Sequence, residues 1–256
     1  CSSSLAPAAA RAASRPLAGR VPGDDRSFYV SSRSVYPSPR PRGADETSEL
    51  VDGDPDATTS DDYARAKRGA EIAVTDALGD RAILLRAGLI LGPRENVGRL
   101  PWWLRRVARG GPVLAPGPAD LPLQYVDARD LAAFALDVAL AGASGPADVV
   151  SAPRHTTMGE LLAACVEATA DDAAAADDPP AELVWVEPEA VLAAGTAPRT
   201  PLPVSLPPGA PPHAPPRPRP SRAAAPRPPP RDLRQPAPAP PAWLRPPGPT
   251  AAPPAP

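Results

Sequence analysis

Tyr63-Ala64-Arg65-Ala66-Lys67 sets a phenol and an amine four positions apart, a spacing that puts both on one face of a helix, one turn from each other. A phenol ionises near 10 in water, too weakly to serve as a base at neutral pH. An ammonium held close by favours the phenolate. Such a pair can move a proton to or from a hydroxyl or carbonyl while a hydride moves elsewhere. Lys67 is also singular in composition. Of 27 basic residues it is the only one that is not arginine. So strong a bias points to a GC-rich gene. A position that stays lysine under it reads as one needing a compact, tunable ammonium, a task a guanidinium cannot do.

On its own the pair is a weak signal, because Y-x-x-x-K recurs by chance and a solvated Tyr-Lys pair on a helix surface is the bland alternative. The surrounding segments carry more. Upstream, Tyr29-Val30-Ser31-Ser32-Arg33-Ser34-Val35-Tyr36 reads as a strand ending in hydroxyls. Downstream come Leu85-Arg86-Ala87-Gly88-Leu89-Ile90-Leu91-Gly92-Pro93 and then Gln124-Tyr125-Val126-Asp127-Ala128-Arg129-Asp130-Leu131-Ala132. In order and spacing these four segments resemble the extended short-chain dehydrogenases/reductases, the NAD-dependent epimerase/dehydratase family. Its members commonly read V-S-S-x-S-V-Y, then Y-x-x-x-K, then a strand with L-R leading to G-P, then an F-V-x-V-x-D-x-A-like stretch. The resemblance spans about residues 20–195 and is nearest to reductases and epimerases from GC-rich bacteria.

The resemblance implies roles. Ser32 matches the catalytic serine that hydrogen-bonds the substrate oxygen, and Tyr63 matches the general acid/base. Lys67 matches the lysine that binds the nicotinamide ribose hydroxyls and tunes the tyrosine. Ala87, Gly88 and Leu89 match the loop whose backbone borders the nicotinamide, although the Pro and Asn often found there are absent. Ser34, Arg94, Asn96, Arg99 and Gln124 fall where members shape the substrate pocket; an ordinary structural or solvated role stands beside that one for the last four. The implied cofactor is NAD or NADP. The implied substrate is a small hydroxyl- or carbonyl-bearing molecule or a nucleotide sugar, and the assembly allowed for is a homodimer. Some atypical members keep the fold and act as RNA-binding or regulatory proteins, so a binding role is the alternative.

The elements that must position these residues follow from periodicity. Ala8 to Ala18 reads as a short leader helix broken by Pro16, Ser27–Ser32 as a strand, and 37–59 as loop. Asp61 or Asp62 caps a helix over 62–78. Residues 81–91 read as a strand, and 100–109 as a helix stopped by Gly110-Gly111. Short strands at 112–114 and 123–126 precede a helix that Asp127 caps and that runs to about Leu140. A strand at 148–151 follows. Thr157 and Glu160 have capping-box spacing for a helix to about Thr169. An acidic linker at 171–180, a strand at 183–186 and a short helix at 188–194 complete the series. Strands alternating with helices imply βαβ units. The fold class is α/β: a partial Rossmann-like parallel sheet with a small substrate-domain remnant and a disordered C-terminal tail. The divisions are a leader at 1–25, the Rossmann-like domain at 26–196 and the tail at 197–256.

Composition supports that division. Of 43 prolines, 25 follow Ala197, together with eight arginines and one acid, Asp232. Pro-Pro and Pro-Arg repeats supply neither ladder donors nor helix hydrogen bonds, and so few large apolar residues cannot offset ordering entropy. A reading-frame slip in a GC-rich gene yields such a composition. The body before it is acidic, which argues against nucleic acid as a partner. Cys1 and Cys165 form no disulfide framework, and Cys165 reads as a buried small hydrophobe, as suits a reducing cytoplasm. His155 and His213 are too few for a histidine zinc site, so no metal is expected. No apolar run is long enough to span a bilayer.

Family members open with a strand and G-x-x-G-x-x-G, whose amides hold the pyrophosphate. No such motif precedes Ser27, and the chain begins at Cys1 without an initiator Met, as a sequence that starts mid-gene would. The chain by itself is therefore expected to bind NADH and NADPH weakly or not at all; calorimetric titration checks this, and clear micromolar binding contradicts it.

Overall fold

The computed structural model describes residues 6–20, 26–38, 45–59, 61–92, 95, 97–123, 125–151, 155–175, 179–187 and 190. They divide into two compact units, one drawn from residues up to Ile90 and from Gln124–His155, the other from Leu91–Leu123 and from Thr156 onward.

The first unit is built on three parallel strands in the order β1 (Ser27–Ser32), β2 (Ala82–Ala87), β7 (Gly145–Val149). β1 aligns Ser27 with Ala82 and Ser32 with Ala87, and β2 aligns Ile83 with Gly145 and Ala87 with Val149. Side chains alternate across a strand, and the sheet sorts them accordingly. Tyr29, Ala82 and Leu84 pack with Ala70, Val74 and Leu78 of α2 (Tyr63–Leu78) and with Ala10 of α1 (Pro7–Arg20). On the other face Ile83, Leu85, Ala87, Ala147 and Val149 pack with Leu131, Phe134, Ala135 and Val138 of α4 (Ala128–Leu140), with Phe28 and Val30 beside them. A separate pair joins β3 (Leu89–Leu91) to β6 (Tyr125–Asp127).

The second unit holds α3 (Arg99–Ala108), β4 (Gly111–Pro116), β5 (Pro122–Leu123), β8 (Thr156–Thr157), α5 (Met158–Ala175) and β9 (Ala181–Val186). β4 and β9 run parallel, β5 and β8 antiparallel. α3 packs on α5, and Trp103 is fully buried with its ring edge-on to Trp102 at 4.7 Å. Gly110 and Gly111 stop α3 at φ of 63° and 65°, left-handed values that glycine adopts without a Cβ penalty. Cys165 is buried, which pushes its thiol up to about 12.

Several expectations are corrected. Pro16 does not break α1, which runs through it to Arg20; the proline removes one intrahelical bond, and the seating of Ala10 and Ser14 in the core outweighs that loss. The strand expected over 81–91 is interrupted at Gly88, whose N–H goes to the Val149 carbonyl at 3.1 Å. The strand expected over 123–126 is two strands in different sheets. The one expected at 148–151 lies at Gly145–Val149, because pairing to β2 begins at Gly145. Asp171–Ala175, read as the start of a linker, continues α5, since consecutive alanines favour helix over the charge-based reading. The Thr157–Glu160 capping box is present: Glu160 Oε2 accepts from the Thr157 N–H at 2.9 Å and Thr157 Oγ1 from the Glu160 N–H at 3.2 Å. The helix expected over 188–194 and the tail lie outside the described residues, Ala190 excepted. No helix among the described residues is long and apolar enough to cross a membrane.

Gly69 lies inside α2 where the Asp54 backbone crosses it, and a Cβ there would overlap the Asp54 carbonyl. An open helix interior gains about 1 kcal/mol from Gly→Ala. Here Gly69→Ala is expected to lower the unfolding free energy by roughly 1–3 kcal/mol, measured by urea denaturation.

Candidate active site

α2 leads through a 3-10 turn at Gly79–Arg81 into the first residue of β2. Its other end therefore lies at the C-terminal edge of the sheet, where β1 finishes at Ser32, the edge at which open parallel sheets take ligands. Asp62 starts the helix there, its carboxylate accepting from the N–H groups of Ala64 at 3.0 Å and Arg65 at 3.1 Å. Tyr63 is the first helical residue, and 47% of its surface is exposed. The helix thus presents the phenol to solvent at the sheet edge and carries Lys67 one turn deeper.

Lys67 is buried, with 4% of its surface exposed. Its Nζ donates to the Val30 carbonyl at 3.0 Å and to the Tyr29 hydroxyl at 3.3 Å, and lies 4.9 Å from the centre of the Tyr29 ring. Burial lowers its pKa to about 8, against the opposing pull of the Glu71 carboxylate. An ammonium has three N–H groups. Two are used on β1, which leaves one for an incoming hydroxyl, a fit to a cofactor ribose.

Below Lys67 the same helix face carries Glu71, fully buried. Arg86 of β2 grips it twice, Nε to Oε1 and Nη2 to Oε2, each at 2.9 Å. Ser31 donates to Oε1 at 2.7 Å, and Arg68 approaches Oε2 at 3.4 Å. Arg86 also donates to the Tyr36 hydroxyl at 3.0 Å, and Tyr36 donates to Asp148 of β7 at 2.9 Å. Burial opposes the Arg86 charge, but the hydrogen bonds and field of Glu71, with Tyr36, hold its pKa above the usual guanidinium range. The Tyr36 phenol is pushed up by burial and by Asp148, and Arg86 opposes that shift.

Ser32, half-buried, caps the turn Arg33–Val35 after β1. Its Oγ accepts from the Ser34 N–H at 3.1 Å and donates to Ser34 Oγ at 3.2 Å. No hydrogen bond joins Ser32 to Tyr63 among the described residues. The sheet register sets Ser32 beside Ala87, so the expected catalytic serine and the expected cofactor loop, Ala87, Gly88 and Leu89, leave the sheet at one level. Ser34 is exposed beside Ser32. Arg99 opens α3 in the second unit. Arg94, Asn96 and Gln124 lie outside the described residues.

Sequence reasoning missed Tyr29, Glu71 and Arg86. A signal existed: Glu71 falls on the apolar stripe of its helix and Arg86 interrupts an apolar strand. Opposite charges in two buried positions are seldom tolerated unless paired.

Between pH about 8 and the ordinary lysine range, the unfolded chain holds a proton at Lys67 that the folded protein has released. The unfolded state binds more protons there, so this group makes stability rise with pH across that window, by up to about 1.4 kcal/mol per unit. Lys67→Met is expected to flatten that rise, measured by urea denaturation at a series of pH values on both proteins.

Against known proteins, a model of the NAD dependent epimerase/dehydratase family matches residues 10–151. A crystal structure described as an epimerase from Burkholderia cenocepacia J2315 is 20% identical at a TM-score of 0.50, covering 69% of this chain and 54% of that one. A dTDP-4-dehydrorhamnose reductase from Bacillus anthracis str. Ames in complex with NADP is 18% identical at a TM-score of 0.50, covering 74% and 59%. The chain spans little more than half the length of these solved structures, and at such identities the likeness concerns the fold. No curated protein sequence matches it. The family match takes in more than half of the chain, with Ser32, Tyr63 and Lys67 inside it, and the chain belongs to the NAD dependent epimerase/dehydratase family.

Proposed function

We propose that this chain supplies the proton-transfer half of an NAD(P)-dependent oxidoreductase or epimerase/dehydratase. Its substrate is a hydroxyl- or carbonyl-bearing small molecule, a nucleotide sugar above all. The observation that carries the reading is the Lys67 ammonium, seated between α2 and β1 one turn below an exposed Tyr63 at the edge where Ser32 ends its strand. Family membership supports the cofactor class. A solved relative of the same fold, a dTDP-4-dehydrorhamnose reductase in complex with NADP, suggests the substrate class.

When bound, a nicotinamide accepts or returns the hydride. The chain's own groups handle the oxygen and its proton. Ser32 exchanges its hydrogen bond to Ser34 Oγ for one to the substrate oxygen. In the oxidative direction Tyr63 takes the hydroxyl proton as the carbinol C–H bond breaks and C=O forms; in the reductive direction it returns that proton. Lys67 places positive charge beneath the phenol and offers its third N–H to a ribose hydroxyl. Ala87, Gly88 and Leu89 would border a bound nicotinamide through their backbone. The second compact unit begins the substrate domain.

In protein that turns over an NAD(P)-linked substrate, Tyr63→Phe is expected to lower turnover by about 10²–10⁴-fold while the fold, read by circular dichroism, is unchanged. Turnover within a few-fold of the unmutated enzyme rejects the role.

A further inference from the structure

The residue under Lys67 on β1 is a tyrosine, and it touches the ammonium in two ways. Tyr29 is 1% exposed. Its hydroxyl accepts a hydrogen bond from Nζ at 3.3 Å, and its ring centre lies 4.9 Å from the same atom, within the range where a ring face attracts a cation. A lysine side chain on a helix has four rotatable bonds and does not hold a position unless it is clasped. The Val30 carbonyl alone would fix the distance from the strand and leave the ammonium free to swing around it. A second contact on the preceding residue removes that freedom.

We propose that Tyr29 is a positioning residue for Lys67: its hydroxyl and ring, with the Val30 carbonyl, fix the ammonium one helical turn from Tyr63. The role rests on the function proposed above, because a fixed ammonium matters to catalysis only if Tyr63 is the acid/base. Among the described residues, Tyr29 faces Lys67 from β1, Tyr63, Arg65, Arg68 and Glu71 share its helix, Arg86 of β2 and Arg68 are both paired with Glu71, and Arg11 of α1 is paired with Asp56 and Asp76. Glu71 favours the charged amine and is itself held by Arg86 and Ser31. Burial, Tyr63 and Glu71 all keep the Tyr29 phenol protonated, with its pKa well above the ordinary range. Tyr29 therefore meets Lys67 as a neutral acceptor and does not compete with Tyr63 for the proton.

The test exploits composition. Lys67 is the chain's only lysine, so in protein grown on isotope-labelled lysine every side-chain amine signal belongs to it, and its titration is read by NMR with no turnover assay. Tyr29→Phe keeps the ring and removes the acceptor. The Lys67 midpoint is expected to fall by roughly 0.5–1 pH unit. A folded variant whose midpoint is unchanged or raised overturns the proposal. A second reading needs no variant: in the unmutated chain the Lys67 Cε protons, one bond from an Nζ that lies over the Tyr29 ring, are expected upfield of their free-lysine position. Finding them at the free position overturns it as well. A Tyr63→Phe enzyme that stays active would sink the proposed function while leaving these results untouched, so the two failures are told apart.

Discussion

A carboxylate with no exposed surface must be paired or be neutral, and in this chain Glu71 is paired by construction. Arg86 presents its guanidinium fork edge-on, and Ser31 supplies a further hydrogen bond. Three elements meet at this one group: α2 through Glu71, β1 through Ser31, β2 through Arg86. The arrangement is a demanding one. Removing either ion would strand the other in the core at a cost of about 3–5 kcal/mol, whereas an apolar pair of similar volume could be as stable. What the ionic pair adds over an apolar one is a fixed register. Leu and Val can slide past one another at little cost; a bidentate bond cannot.

That register decides the height at which Lys67 and Tyr63 sit. With Glu71 pinned against Ser31, Lys67 falls one turn earlier on the helix, at the height of Tyr29 and Val30, and Tyr63 one turn earlier again, at the sheet edge. Strand alternation sends Tyr29 and Ser31 to the α2 face and Val30 to the α4 face, so Val30 meets Lys67 through its carbonyl and Tyr29 through its side chain. Tyr36 and Asp148 extend the network to β7, so all three strands of the sheet are tied near their C-terminal ends.

Much of this was legible from local signals. Asp62, Asp127 and the Thr157–Glu160 box mark helix starts through side-chain oxygens that reach only two or three residues along the chain. The helix stop at Gly110-Gly111 is equally local. The misreadings are of the opposite kind. Pro16 looks like a break by propensity and the Asp171–Ala175 stretch by its charge, yet helices run through both. The strand bounds at Gly88 and at Gly145 are set by partners in other strands rather than by their own composition.

The four motifs of the family, the Tyr63–Lys67 face and the caps that start the helices could be read off the chain alone, because each depends on residues within a few turns of one another. Folding was needed to settle which groups clasp Lys67, that Glu71 and Arg86 neutralise each other in the core, and that Ser32 spends its hydroxyl on Ser34. The difference is one of range. Periodicity shows which face of an element is turned inward, but the partner of a buried charge comes from another element, brought near by the closing of the sheet.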